Sequence, residues 1–244
     1  MPTSPFEIPY DGAIIRGEAD GFGIPVVFLH SGVTDRRMWA EQMRDLADVG
    51  YHVIAYDRRG FGETETGDVP FNHLVDLEAV LDSLSVHAAV FVGSSIGGGL
   101  AVDFAIEHPE RTIGLVLIGT AITGAEGAEI PDEAADLEDA LEYATERGNL
   151  DTVNRIEAHL WLDGPLSESG RVSGEVRDLF LKMNAIHLNH PELTEEEEPD
   201  DAVDNLSAIT APTLLVVGEL DMPDIVARHE DLSEEPENAF AIVL

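Results

Sequence analysis

The sequence predicts an α/β fold: a doubly wound, mostly parallel sheet with an N-terminal antiparallel hairpin and an inserted cap of helices. Three observations predict it. Short apolar runs alternate with helix-length segments from residue 25 onward, a turn dipeptide joins two extended runs near the N-terminus, and residues 124–205 hold helical stripes without a strong strand run. A chain of 244 residues is ample for one such core.

The hairpin is predicted at residues 6–16. Residues 6–10 and 13–16 are short extended runs, and Asp11-Gly12 between them is the dipeptide that most favours a two-residue hairpin turn. We expect the two runs to pair antiparallel.

Six apolar runs predict the remaining strands, because strands buried on both faces have continuous apolar sequence. The runs are PVVFLH, YHVIAYD, AAVFVGS, IGLVLIG, APTLLVVG and AFAIVL. Two of the intervening segments carry a single apolar stripe at helical spacing, which predicts amphipathic helices. The stripes are Trp39, Met43 and Leu46, and Leu74, Leu77, Leu81 and Leu84.

Residues 124–205 are expected to form a helical cap, and residues 1–123 and 206–244 the core that carries it. Three apolar stripes at helical spacing predict at least three helices in the cap. The acidic run at 195–198, followed by Pro199, is interpreted as a solvated linker that leads back to the sheet. The stripes are Ala134, Leu137, Leu141 and Ala144; Val153, Ile156 and Leu160; and Val176, Leu179, Met183 and Ile186.

The composition excludes several classes of partner and site. The chain has 49 acidic and 13 basic residues, a formal net charge of −36, so we expect it to bind neither nucleic acid nor an anionic membrane. The absence of cysteine excludes disulfides, thiolate zinc sites and a thiol nucleophile. The sequence shows no long apolar segment and no signal-peptide pattern, which predicts a cytoplasmic protein.

A strand-turn-helix motif marks the candidate nucleophile. Gly93-Ser94-Ser95-Ile96-Gly97 follows an apolar strand and precedes a helix-compatible run, which is the context of the G-x-S-x-G pattern. Small residues at 93 and 97 permit a sharp turn that lifts Ser95 above the sheet, beside the N–H groups and positive dipole end of the helix. The alternative is a turn that needs glycine only for helix–strand packing. Each helical glycine costs about 1 kcal/mol against alanine, so some constraint must require them.

Over essentially its whole length the chain resembles the α/β-hydrolase family, in particular its small esterase, lactonase and haloperoxidase-like members. Besides GSSIG, residues 29–32 (LHSG) are similar to the family's oxyanion-loop motif, and residues 56–65 (YDRRGFGETE) are similar to its Asp-x-Arg-Gly-x-Gly-x-Ser stretch. The resemblance implies the α/β-hydrolase fold and a Ser–acid–His triad in which Ser95 is the nucleophile.

The resemblance also implies an oxyanion hole formed by the backbone N–H groups of Ile96 and Gly32. Ser31 stands where the family usually has glycine, so Ser31 or Val33 is an alternative second donor. His30 is interpreted as a residue that orders this loop rather than as a catalytic base.

The charged residues of the YDRRG stretch are interpreted as structural. Asp57, Arg58 and Arg59 are expected to staple a loop by carboxylate–guanidinium contacts, with substrate contact as the lesser alternative.

The triad acid is assigned to Asp221, which follows an apolar strand and matches the family's Gly-Glu-x-Asp motif. Its role would be to orient a histidine and stabilise the imidazolium. Glu219 and Asp224 are nearby alternatives. In the family order the histidine follows the last core strand, here AFAIVL, where the 244 residues stop. His229 falls on a helix outside the sheet, so we expect these residues to lack the catalytic histidine and the final helix, as a truncated gene product or a fragment would.

These assignments predict a serine hydrolase that acts on a small carboxylic ester or lactone through an acyl-enzyme, with no metal and no organic cofactor. Perhydrolase and carbon–carbon bond hydrolase activities use the same triad and stay open. The alternative is a non-catalytic small-molecule-binding protein of the same fold, which the missing histidine favours. The partner is a small molecule in either case, and the oligomeric state is not assigned.

A substrate pocket is expected between the cap and the core. Met38, Trp39, Trp161 and Met183 are assigned to its apolar wall, although core packing explains each of them equally well.

The acidic surface predicts a response to salt. Only Lys182 among the basic residues is a lysine, and we interpret the composition as adaptation to a high-salt cytoplasm, with an ordinary acidic protein as the alternative. Screening with a Debye length of about 3 Å at 1 M should relieve the repulsion between carboxylates. We expect the melting temperature to rise steeply between dilute buffer and molar KCl; a flat response would remove this interpretation.

Overall fold

The computed structural model describes residues 3–125, 129–197, 199–233 and 238–244, and within those ranges it shows nine strands and seven α-helices. The strands are β1 (Ser4–Tyr10), β2 (Ala13–Gly21), β3 (Pro25–Leu29), β4 (His52–Tyr56), β5 (Glu65–Thr66), β6 (Ala89–Ser94), β7 (Thr112–Ile118), β8 (Thr213–Val217) and β9 (Ala239–Val243). The helices are α1 (Ala40–Asp48), α2 (His73–Ser83), α3 (Ile96–Glu107), α4 (Ala135–Glu146), α5 (Leu150–Ala158), α6 (Glu175–Asn189) and α7 (Pro223–Leu232). None of these described helices has the length and apolar character to cross a bilayer.

Parallel strands form most of the sheet, in the order β4-β3-β6-β7-β8-β9, and β2 and β1 continue it as an antiparallel hairpin with β5 beside β2. The chain leaves β3 toward one side for β4 and later crosses to the other side for β6. Such a reversal opens a crevice at the carboxyl ends of the two strands. The mostly parallel sheet and the N-terminal hairpin predicted from the sequence are confirmed.

The hairpin turn has the predicted geometry. Asp11 and Gly12 both have positive φ, 37° and 76°, as a type I′ turn requires. Strand β2 extends to Gly21, beyond the predicted end at residue 16, because its second half pairs with β4 from Gly17 opposite Tyr56 onward.

Two apolar cores lie on opposite faces of the central strands. Val27 and Leu29 of β3 pack into the core that includes α2 and α3, whereas Val26 and Phe28 pack with Met43 of α1 on the other face. Since successive side chains of a strand point to opposite faces, burial on both sides explains the continuous apolar runs.

The cap helices pack in succession, α4 on α5 and α5 on α6. Between α5 and α6, the Asn154 amide donates to the carbonyl of Leu181 at 2.9 Å and its oxygen accepts from Asn184 at 3.1 Å. Leu160, just after α5, packs with Met222 beyond β8, so the cap contacts the carboxyl end of the sheet.

The acidic run differs from the predicted linker. The N–H of Phe71 donates to the carbonyl of Glu195 at 3.0 Å, and the N–H of Glu197 donates to the carbonyl of Phe71 at 2.7 Å. The backbone at 195–197 is therefore bridged to the core, while its side chains are exposed. Glu198 lies outside the described residues.

Strand β9 is the last strand in the described sheet order, and its side chains are largely exposed. Phe240 is 70% exposed and Ile242 45%. An apolar surface of this kind at a sheet edge favours association between molecules.

Helix α3 carries a buried carboxyl group at Asp103. Its Oδ2 accepts a hydrogen bond from the Thr123 hydroxyl at 2.9 Å, and its Oδ1 has no hydrogen-bond partner among the described residues. Burial raises the pKa of Asp103 to about 6, because the interior disfavours the ionised form.

We predict that Asp103→Asn changes the pH dependence of stability. The native pKa lies above the ordinary value, so ionisation of Asp103 destabilises the native state as the pH rises through 6. The free energy of unfolding of the variant should exceed that of the wild type at pH 7–8, and the difference should vanish near pH 4. Denaturant titrations across this range measure it, with exposed Asp139→Asn as the control of equal charge change. A difference in the free energy of unfolding between variant and wild type that is the same at every pH would contradict the prediction.

Candidate active site

The turn between β6 and α3 holds Ser95 in an unusual backbone conformation. Ser95 has φ 53° and ψ −122°, a region that costs a non-glycine residue roughly 1–3 kcal/mol. Such strain persists only where surrounding contacts impose it, and it concentrates at functional sites. The turn therefore has the sharp geometry predicted for the GSSIG motif.

Close packing explains the glycines of this motif. A Cβ on Gly93 would collide with the carbonyl of Gly97, and a Cβ on Gly97 would collide with the carbonyl of Leu29 at the end of β3. A Cβ on Gly98 would likewise collide with the side chain of Thr120. The glycines are thus required by helix–strand contact, which was the alternative interpretation of the motif, and the same contact forces the turn at residue 95.

Backbone hydrogen bonds fix the turn from both sides. The Ser95 N–H donates to the carbonyl of Ile118 at 2.9 Å, and the Ser95 carbonyl accepts from Gly98 at 2.9 Å, Gly99 at 3.1 Å and Ala121 at 3.2 Å. The last residue of β7 and the loop after it are therefore both hydrogen-bonded to the backbone of the candidate nucleophile.

Ser95 lies in the wall of a cavity of about 590 Å³ between the core and the cap. The lining is mostly apolar and includes two of the four residues that the sequence assigned to the pocket, Met38 and Trp161. It also includes Gly32 and Asp221, so the structure brings the candidate nucleophile, acid and oxyanion residues to one cavity.

The other two pocket residues lie elsewhere. Trp39 is 4% exposed and packs on Phe28 with ring centroids 5.3 Å apart, and Met183 is buried; neither is among the described residues that line the cavity. Phe180, one turn before Met183 on α6, lines the cavity instead. Apolar spacing on a helix does not distinguish the residues that face a cavity from those that face a neighbouring helix, so the sequence carried no signal for Phe180.

Two backbone N–H groups at the cavity have the properties expected of oxyanion donors. Among the described residues, no protein acceptor binds the N–H of Gly32 or of Ile96. The two residues are neighbours, because a Cβ on Gly32 would lie 3.1 Å from Cδ1 of Ile96. Ser31 and Val33 also line the cavity, so the alternative second donors remain adjacent.

His30 is fully buried and orders the loop, as predicted. Its Nδ1–H donates to the carbonyl of Ser31 at 2.7 Å, and its Nε2 accepts from the N–H of Arg58 at 3.1 Å. Burial, together with the Arg58 charge, holds the pKa of His30 well below its usual value. A neutral ring with both nitrogens occupied has no capacity left for general-base chemistry.

The charged residues at 57–59 staple loops, although with partners that the sequence did not identify. Asp57 pairs with Arg36, whose backbone N–H also donates to it at 2.9 Å. Arg59 is fully buried and donates two parallel hydrogen bonds, 2.8 and 2.9 Å, to Asp76 of α2. The Arg58 guanidinium donates to the carbonyl of His30 at 3.0 Å.

Asp221 follows β8 and accepts a hydrogen bond from the N–H of Met222 at 2.8 Å. Burial raises the pKa of Asp221 above its ordinary value. Of its two alternatives, Glu219 is exposed and Asp224 accepts from the N–H of Glu129 at 3.1 Å. Neither is among the described residues lining the Ser95 cavity.

No histidine lines the Ser95 cavity in the part of the chain that the structure describes. His229 lies on α7, the helix between the last two strands, as the sequence predicted, and it is buried there. His187 and His190, at the end of α6, bond to the carbonyls of Gly60 and Gly62 at 3.0 and 3.2 Å. Among the described residues, no three histidine, aspartate or glutamate side chains lie together so that they could hold a metal ion.

Comparison with known proteins identifies relatives along most of the chain. Residues 24–242 match the model of the alpha/beta hydrolase fold family. A 2-hydroxy-6-oxo-6-phenylhexa-2,4-dienoate hydrolase of Burkholderia cepacia is 31% identical over 209 residues, which cover 81% of this chain and 71% of that protein. A 2-hydroxymuconate semialdehyde hydrolase of Pseudomonas sp. (strain CF600) is 42% identical over 108 residues, 41% of this chain and 38% of that protein.

The matched segment thus spans about two-fifths of the Pseudomonas relative, and 41% of a relative from Mycobacterium phage D29. Among solved structures, that of Est816, described as an N-acyl homoserine lactone degrading enzyme, superposes with a TM-score of 0.69 at 28% identity, over 98% of this chain and 91% of that one. The family model covers most of the sequence, and the sheet order, the elbow at Ser95 and the inserted helices accord with it. The chain belongs to the α/β-hydrolase family.

Proposed function

We propose that the protein is a serine hydrolase of a small carboxylic ester or lactone. The observation that carries the proposal is the strained Ser95 in a mostly apolar cavity that also holds Asp221 and the N–H groups of Gly32 and Ile96, which have no acceptor among the described residues. Acyl transfer needs a serine that is presented beside backbone N–H groups able to hold the oxyanion, and a strained turn of this kind supports that role.

The proposed reaction has two steps. The Ser95 hydroxyl attacks the carbonyl carbon and loses its proton to a base, and the oxyanion that forms is held by N–H groups of Gly32 and Ile96. The ester or lactone carbon–oxygen bond breaks, and the alkoxide takes the proton. Water then attacks the acyl-enzyme, releases the carboxylic acid and restores Ser95. No step needs a metal ion or an organic cofactor, and the partner is the small-molecule substrate.

The relatives support the hydrolytic class. Est816 is described as degrading a lactone, and the Burkholderia and Pseudomonas relatives are named as hydrolases. The cavity volume of about 590 Å³ suits a small substrate. The net charge of −36 disfavours polyanions such as nucleic acid as partners.

A second candidate function is non-catalytic binding of a small molecule. It is favoured by the cavity lining, which in its described part includes Ser95 and Asp221 but no histidine to accept the serine proton. We propose weak turnover for the 244-residue chain, since an oxyanion hole and substrate binding without the full triad still give roughly 10³ to 10⁴-fold catalysis over water.

We predict that a fluorophosphonate probe labels Ser95 in any full-length, folded version of the protein, where a triad histidine activates the serine. Only an activated serine reacts rapidly with such a reagent, and the elbow presents Ser95 to the cavity. Mass spectrometry of the labelled peptide identifies the site, and Ser94→Ala is the matched control that should still be labelled. Modification that survives Ser95→Ala, or that maps to Ser94, would overturn the assignment.

We predict that hydrolysis of p-nitrophenyl acetate by the 244-residue chain is slow and is accelerated by added imidazole. Imidazole supplies the general base that the described cavity lining lacks, so the acceleration should exceed that seen with Ser95→Ala, which corrects for solution catalysis. Full activity without imidazole that is lost in His229→Ala would show that His229 is the base and would overturn this prediction. Tight ligand binding with no Ser95-dependent turnover would instead support the non-catalytic function.

A further inference from the structure

A second cavity, of about 750 Å³, adjoins the Ser95 cavity. The two share four lining residues, Ile96, Ala121, Ile122 and Ala125. The wall between them therefore consists of the first residue of α3 and a short stretch of the loop after β7. We call the second space the distal cavity.

The distal cavity differs from the Ser95 cavity in polarity. Its described lining includes the carboxyl groups of Asp103, Glu192, Glu196 and Glu197, whereas its guanidinium groups are those of Arg58 and of Arg59, which is paired with Asp76. Carboxyl groups exceed guanidinium groups in number, in a chain that is itself strongly acidic. The lining also holds the imidazoles of His73, His187 and His190, and burial lowers the pKa of the first two. An anionic ligand is therefore disfavoured there, and a neutral or cationic hydrogen-bonding group is favoured.

One face of α3 connects the Ser95 site with the far end of the distal cavity. Ile96, Gly99, Leu100 and Asp103 all line it, at the spacing of one helical stripe. Seven residues of α-helix span about 10 Å, so Asp103 lies roughly that far along the helix axis from Ile96. The Asp103 carboxyl group lines the cavity there, and its buried Oδ1 is an acceptor without a partner among the described residues.

Of the two isoleucines in the wall between the cavities, Ile96 is the one whose side chain can be truncated without opening the core. Ile122 is 5% exposed and belongs to the main core, whereas Ile96 is 41% exposed. The backbone bonds of Ser95 fix where α3 begins, and Cδ1 of Ile96 lies against Gly32. The side chain of Ile96 is thus held between the two cavities by the turn that presents Ser95.

We propose that Ile96 is a specificity-determining residue that confines the bound group to the apolar Ser95 cavity. Without its side chain, the site accepts longer ligands whose distal end carries an amine or hydroxyl group that Asp103 binds. This inference deepens the proposed function, because it concerns which substrates reach Ser95.

The test measures binding in a Ser95→Ala background, so its result does not depend on whether Ser95 is a nucleophile. Calorimetric dissociation constants are compared for hexan-1-ol, decan-1-ol and 10-aminodecan-1-ol, with and without Ile96→Ala. We expect Ile96→Ala to tighten binding of the amino alcohol by at least tenfold and that of hexan-1-ol by less than threefold. Adding Asp103→Asn should remove most of the gain in affinity for the amino alcohol and leave the dissociation constant of decan-1-ol little changed.

Met38→Ala is the matched control, since Met38 lines the Ser95 cavity and not the distal cavity in the described structure. An equal gain for the amino alcohol in Met38→Ala, or no gain in a folded Ile96→Ala protein, would overturn the proposal. If Ile96→Ala lowers the melting temperature too far, Ile96→Val must give a smaller gain in the same direction. Failure of fluorophosphonate labelling at Ser95 would contradict the hydrolase function but not this binding result.

Discussion

The close approach of α3 to the carboxyl ends of β3 and β6 is the constraint on which the site depends. Gly97 lies against the carbonyl of Leu29, and Gly93 lies against the backbone of Gly97, so no larger side chain is tolerated at either position. The helix can begin this close to the sheet only if the chain turns sharply at Ser95, and its positive φ is the result. The same start of α3 places the N–H and the side chain of Ile96 beside the cavity. The proposed chemistry and the proposed specificity thus depend on the same packing contact.

Several of the 13 basic residues pair with buried carboxylates. Arg59 holds Asp76, Arg36 holds Asp57 and Arg177 holds Asp163, each carboxylate being almost fully buried. A buried ion pair is weak support for net stability, but removing one partner leaves a costly unpaired charge. These pairs therefore fix loop positions rather than add much stability. The remaining carboxylates are mostly at the surface, where salt screens their repulsion.

The cap completes the cavities rather than forming a separate structure. Trp161 and Phe180 line the Ser95 cavity, while His187 stacks on Phe61, with ring centroids 4.2 Å apart, and lines the distal cavity. Burial lowers the pKa of His187. Cap and core are thus joined by side chains of the cap helices and by the bridge at Phe71, and the cap supplies part of the lining of both cavities.

The sequence by itself determined eight of the nine described strands, the hairpin turn, the elbow at Ser95 and the helical character of the cap; the short β5 was not predicted. Each predicted feature depends on spacing between neighbouring residues, and local spacing sets which side chains share a face. The tertiary structure alone decided that Phe180 rather than Met183 faces the cavity and that Arg36, not an adjacent arginine, pairs with Asp57. It also decided that two cavities meet at Ile96. These features depend on how a helix is rotated about its axis and which distant loops meet, and both follow from packing over the whole molecule rather than from any local pattern.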